Sequence, residues 1–242
     1  MDLLSKSRMA ELISGMGQAY ADSRNMIAWA ENEFLTPDEL SVVGVRRLVV
    51  SLAYDFQAGS YVEGARSNPG LNKAWTRQLA EHLEPIVEDL EPYTLLEVGV
   101  GEATTLTGVV NSLETKPAEV LGFDISFARL QVAHDYLRSS GVEASLMLAD
   151  LFNIPLHSES VDVVYTSHSL EPNGGREREA IAELLRVSRR YVVLVEPLFE
   201  FASNEAQIRM ESHGYVRELA SNARGLGARV VQERLLPVVR NP

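Results

Sequence analysis

A chain of 242 residues with 45% hydrophobic content can bury one substantial core with an appendage, not two independent domains of ordinary size. Its net charge is −12, and each side of Pro92 carries −6, from 8 basic against 14 acidic residues before it and 14 against 20 after it. Neither half offers the Lys/Arg field that nucleic-acid phosphates require, and the absence of cysteine excludes disulfides and thiolate chemistry and fits a cytoplasmic location.

The start, Met1-Asp2-Leu3-Leu4-Ser5-Lys6, lacks the charged-then-apolar order of a secretory signal, and no apolar run approaches the roughly 20 residues that span a bilayer. Residues 1–92 read as helical. Thr36-Pro37-Asp38-Glu39 joins an N-cap, a proline at the first helical position and an acid three residues after the cap. Leu40, Val43, Arg47, Leu48 and Leu52 then keep a helical period that frays near Gly59. Tyr61 to Pro69 reads as a polar, aromatic turn between helices, with Asn68-Pro69-Gly70 as its strongest signal, and Leu71 to Leu90 as a helix kinked at Pro85. Trp29 and Trp75 fall on helical stretches as core residues.

From Tyr93 the pattern alternates. Apolar runs at 94–100, 119–125, 143–149, 161–167 and 190–196 are separated by helical stretches at 103–114, 126–140, 176–188 and 204–224. This predicts an α/β fold, a Rossmann-like doubly wound and mostly parallel sheet covered on both faces, with Arg229 to Val239 as a sixth strand. Right-handed crossovers bring the ends of the first four strands to one edge, where Glu97, Asp124, Asp150 and His168 meet.

The first strand runs straight into Glu97-Val98-Gly99-Val100-Gly101-Glu102-Ala103. Gly99 and Gly101 let the backbone bend tightly and approach a ligand, and Ala103 is a third small residue where helix and strand pack. A pyrophosphate at this helix N-terminus would meet Glu102, negative against negative, which disfavours a dinucleotide. A ligand with an adenosine end, no phosphate and positive charge opposite Glu97 fits better, and S-adenosylmethionine is such a ligand. The second strand ends in Asp124, about 20 residues past the glycines, where a carboxylate accepts hydrogen bonds from both ribose hydroxyls. The third, Ala144 to Leu151, also ends in an acid, Asp150.

In these motifs the chain resembles the class I S-adenosylmethionine-dependent methyltransferases, with Ala103 in place of the last glycine of the first motif. The resemblance covers residues 93 to about 236 and is strongest over 94–175. It implies a sheet of six or seven strands, the last antiparallel, yet only Arg240, Asn241 and Pro242 follow the sixth run. A sheet closed at six strands, a chain that stops before its natural end, and an N-terminal region covering the free edge remain open. The resemblance further implies that Asp150 accepts from the adenine amino group and that the Leu151 amide meets a ring nitrogen. The chain before the first motif becomes a lid, with Arg66 bidentate on the methionine carboxylate and Tyr61 as wall or donor.

Tyr165 to Gly175 follows the fourth strand, from which the family reaches its acceptor. His168 is the candidate base, because imidazole titrates near neutrality, and Glu171 orients it or binds a polar acceptor. Glu196 adds an acceptor contact. His82, His134, His157 and His213 have no partners at metal-ligand spacing, so no metal is expected, and Arg186, Arg189 and Arg190 complement a helix C-terminus. The expectation is methyl transfer from S-adenosylmethionine to a small molecule by a domain at 93–242 beneath a helical lid at 1–92, with no nucleic-acid partner. The alternatives are an NAD-type oxidoreductase on a similar sheet and a non-catalytic domain that binds the cofactor or a partner. The acceptor and the oligomeric state leave no mark on the sequence.

Overall fold

The computed structural model describes residues 3–42, 44–212 and 214–238. Among them, β1 (Thr94–Val98), β2 (Glu119–Asp124), β3 (Ser145–Leu148), β4 (Val161–Ser167) and β5 (Ser188–Val195) form one sheet in the order β3-β2-β1-β4-β5, every pair parallel. Successive side chains of a strand point to opposite faces, and here both faces are apolar. Leu95, Val163 and Tyr165 face α6 (Pro69–Val87), α7 (Thr104–Ser112) and α8 (Phe127–Ser140), while Leu96, Val98 and Val164 face α9 (Glu177–Val187) and α11 (Leu219–Gly225). The order changes direction between β1 and β4, and beside such a point the carboxyl ends of the strands open a crevice.

The helices α1 (Lys6–Ala21), α2 (Met26–Trp29), α3 (Pro37–Ser41) and α4 (Val45–Phe56) gather a separate core around Leu12, Met16, Val45 and Val49, and α4 packs on α8. By contrast α6 belongs to the sheet, burying Trp75, Leu79, Leu83 and Val87 against it. The expected helix start at Thr36 is present, with a reciprocal capping box to Glu39. That helix ends at Ser41 rather than running on: Val42 is extended and Gly44 has φ +98°, so the chain turns before α4, with Val43 outside the described residues.

Three other departures from the expected pattern have physical causes. The segment expected as a turn is the helix α5 (Ser60–Ser67), followed directly by α6, whose N-cap is the Asn68 side chain. Its first amides are bonded by Glu102, some 40 residues away in sequence, which a local pattern cannot show. The helix expected over 204–224 divides into α10 (Asn204–Ser212) and α11 around Gly214 at φ +63°, and His213 lies outside the described residues. The sheet has five strands among the described residues, not six or seven. Residues 229–238 pair with no strand, and Val238 bonds the Gln78 side chain of α6 through its N–H (2.8 Å) and carbonyl (3.1 Å) instead. Residues 239–242 lie outside the described residues. Among those described, no helix is long and apolar enough to cross a membrane.

Candidate functional site

The glycine turn after β1 is built from left-handed backbone. Gly99 has φ +65° and Gly101 +54°, and a Cβ on Gly99 would stand 2.4 Å from the Ser169 Cβ. Ala103 also has φ +57°, so the third small position demands more than close packing: its alanine carries a left-handed strain of about 1 kcal/mol that glycine would not. The turn is fastened to β2 by the Gly101 amide, which donates to Asp124 at 2.9 Å, while the other Asp124 oxygen accepts from the Ser126 amide at 2.8 Å. Burial pushes the Asp124 carboxyl up, and those amides together with nearby Arg129 pull it back down.

A cavity of about 380 Å³ opens above the turn, inside the range of small-molecule sites. Gly99, Asp124, Asp150, Leu151 and His168 line it from the sheet side, and Arg47, Tyr54, Tyr61 and Asn68 from α4, α5 and the α6 cap. Asp150 accepts from the Phe152 amide at 3.1 Å and is reached by Arg47 at 3.5 Å. Three buried polar atoms of the lining, Asn72 Oδ1, Ser167 Oγ and Ser169 Oγ, have no hydrogen-bond partner among the described residues. Buried polar atoms are almost always paired, so these suit a ligand rich in donors and acceptors.

Several expected residues stand elsewhere. Arg66 is exposed and does not line the cavity: Tyr61, Gly64, Ala65 and Asn68 share the inner face of α5 and its cap, and position 66 falls on the other side. Glu97 is buried behind the turn, where its carboxylate accepts from the Tyr165 hydroxyl at 2.7 Å, because the register of β1 on β4 sets those residues side by side. Glu102 faces away from the cavity. Fully buried, it accepts from the amides of Gly59 (2.9 Å) and Val62 (2.7 Å), which are otherwise unbonded donors at the start of α5. Glu102 is therefore in no position to repel a phosphate at this helix N-terminus.

Beyond the small cavity lies a larger one of about 1170 Å³ between α6, β5 and the C-terminal segment. His168 and no other side chain of the β4 loop before Glu171 borders both. It is held at φ +56°, a conformation that costs a non-glycine residue about 1 kcal/mol and is kept by what surrounds it. Its amide donates to the Val195 carbonyl at 2.9 Å, and Glu196 accepts from the next two amides, of Ser169 (3.1 Å) and Leu170 (3.2 Å). The imidazole stacks at a tilt on Trp75 and bonds Glu171 through Nδ1. Burial pushes the Glu196 carboxyl up to about 7. Tyr215, which bonds Glu171, is pushed up to about 12, by burial first and by Glu171 after it. Sequence reasoning missed Tyr215 and also Arg129, although an arginine on the buried stripe of Leu130, Ala133 and Leu137 is a visible irregularity. Among the described residues no group of three or more acids and histidines is placed to hold a metal ion.

Residues 95–190 match the family model described as a methyltransferase domain. No curated protein matches the chain. A chain of the complex between the Haloferax volcanii Trm112 methyltransferase activator and a methyltransferase aligns at 17% identity over 78% of this chain and 82% of that one, with a TM-score of 0.59. The YcgJ protein of Bacillus subtilis aligns at 20% identity over 57% of this chain and 63% of its own, with a TM-score of 0.45. The cyclase SpnF aligns at 19% identity over 61% and 56%, with a TM-score of 0.49. This chain thus spans less than two thirds of the length of those last two proteins. The family match encloses the glycine turn, Asp124, Asp150 and His168, and the first of these structures shares the fold. Residues 95–190 are thus similar to a methyltransferase domain, on a fold shared with the first of these structures.

Proposed function

We propose that the protein transfers the methyl group of S-adenosylmethionine to a small-molecule acceptor, with the cofactor in the smaller cavity and the acceptor reaching it from the larger. The observation that carries this reading is the wall between them: His168 borders both, beside a carboxylate that holds its ring. The smaller cavity fits the cofactor on its own chemistry. Asp124 and Asp150 are acceptors at two strand ends, Asn72 Oδ1 and the Ser167 and Ser169 hydroxyls want partners, and Arg129 supplies positive charge. In this reading Asp124 takes the ribose hydroxyls, Asp150 and the Leu151 amide take the adenine, and Gly99 and Gly101 admit the ligand to the backbone. Tyr61 covers it, and α4 and α5 form the lid of an N-terminal region. Glu97 and Ala103 support the turn from behind. The cysteine-free composition supports a cytoplasmic location.

S-adenosylmethionine supplies, when bound, a methyl group on a sulfonium that a nucleophile displaces in line. The protein's part is to orient the acceptor, exclude water and, where the acceptor has a proton to lose, accept it at His168. Glu171 keeps a proton on Nδ1 and fixes the direction of the ring.

Calorimetric titration of the full chain with S-adenosylmethionine, S-adenosylhomocysteine and NAD tests the cofactor directly. Either sulfur nucleoside is expected to bind more tightly than NAD, and the reverse order would overturn the assignment. Asp124→Ala is expected to weaken cofactor binding by about 2–4 kcal/mol through loss of two hydrogen bonds to a charged group. It should also lower folding stability by about 1–3 kcal/mol, since the Gly101 amide loses its buried partner. Unchanged affinity in the folded variant would remove Asp124 from the site.

A further inference from the structure

Arg129 is 3% exposed, yet its hydrogen bonds go only to neutral oxygens: the Tyr54 carbonyl from Nε and the Gln57 side chain from Nη2, each at 3.3 Å. Its guanidinium lies between two rings, 4.6 Å from the centre of Tyr54 and 4.2 Å from that of Tyr61. Among the described residues no carboxylate comes within ion-pair distance of it, and Nη1 has no hydrogen-bond partner. That nitrogen stands over the glycine turn, 3.7 Å from where a Cβ on Gly101 would be, and the side chain lines the smaller cavity. An arginine remains charged at any physiological pH, and a buried charge is costly unless an anion meets it. Asp124 interacts with it electrostatically but forms no ion pair with it among the described residues, and its two oxygens accept the Gly101 and Ser126 amides.

We infer that Arg129 is the anion-binding group of the cofactor cavity and takes the carboxylate of the cofactor's amino-acid end, with Tyr54 and Tyr61 holding its plane. The inference rests on the cofactor reading above and transfers to Arg129 the role that the family resemblance implied for Arg66. Planar, flanked by rings and fixed at Nε and Nη2, the guanidinium is set in place before the ligand arrives, which limits the ordering cost of binding. Desolvation makes the contact stronger than the same pair at the surface. The aromatic clamp also makes the subsite a joint product of α4, α5 and α8.

The test is a binding cycle by calorimetry on the full chain, with S-adenosylmethionine and its decarboxylated analogue as the two ligands. The unaltered protein should bind the analogue about 10- to 100-fold more weakly, the scale of one hydrogen-bonded charge pair. Arg129→Met should lose a similar factor for S-adenosylmethionine and nearly all discrimination between the ligands, while Arg66→Met keeps it. Equal weakening of both ligands by Arg129→Met, with discrimination intact, overturns the inference and leaves Arg129 a support for Asp124. Should that variant fail to fold, Arg129→Lys keeps the charge but not the planar fork. It is expected to lose about tenfold of the discrimination, and full discrimination overturns the inference equally. Absence of any S-adenosylmethionine binding by the unaltered protein would bring down the cofactor reading itself, whereas tight binding without discrimination overturns only the role of Arg129.

Discussion

Gly99→Ala is expected to abolish measurable cofactor binding and to lower folding stability by about 2–4 kcal/mol, combining a left-handed backbone with an overpacked contact. Neither cost can be relieved locally. The added methyl would stand 2.4 Å from the Ser169 Cβ, on a loop that Glu196 fixes through two amides, and φ is already +65°. Moving Ser169 away displaces His168 beside it, so the wall between the two cavities is lost with the turn. Thermal unfolding and calorimetry measure the two effects separately. A folded Gly99→Ala protein of ordinary affinity would show that the turn does not touch the ligand.

His168→Ala is expected to leave cofactor affinity nearly intact while turnover with the true acceptor falls by about 100-fold or more, the scale of general acid–base catalysis. Glu171→Gln should cost less, because the ring keeps its seat on Trp75. The rate should also rise through pH of about 7 as the Glu196 carboxyl ionises and accepts more strongly from the Ser169 and Leu170 amides. Glu196→Gln should remove the part of that rise that belongs to this carboxyl. For stability the sign is opposite. The folded carboxyl holds its proton more tightly than the unfolded one, so this group's contribution declines as pH rises from its ordinary 4.5 to about 7. Full turnover by His168→Ala would leave a catalysis of positioning alone.

The sheet, the glycine turn and the acids at the strand ends were legible because each is a local pattern: an apolar run, a change of period, a residue at the end of a strand. Residues whose role depends on phase or register were not. The family resemblance implies a role for Arg66, but the face of α5 that turns inward carries 61, 64 and 65, and one residue's rotation removes the guanidinium from the cavity. Glu97 carries the expected charge, yet the pairing of β1 with β4 gives it to Tyr165. Tyr215 reaches the site through long-range packing, which neither spacing nor motif encodes, and Arg129 shows in the sequence only as an arginine on an apolar stripe. The sixth strand failed for a related reason: residues 229–238 have the composition of a strand but pair with none, and Val238 bonds the Gln78 side chain of α6 instead.

The bond between Glu102 and the start of α5 bears on modularity. A domain that begins at β1 would carry its glycine turn with a carboxylate whose donors among the described residues, Gly59 and Val62, belong to the segment left behind. Grafting the turn onto another lid, or this lid onto another turn, would strand the carboxylate or the helix start. The two pieces must therefore be exchanged together.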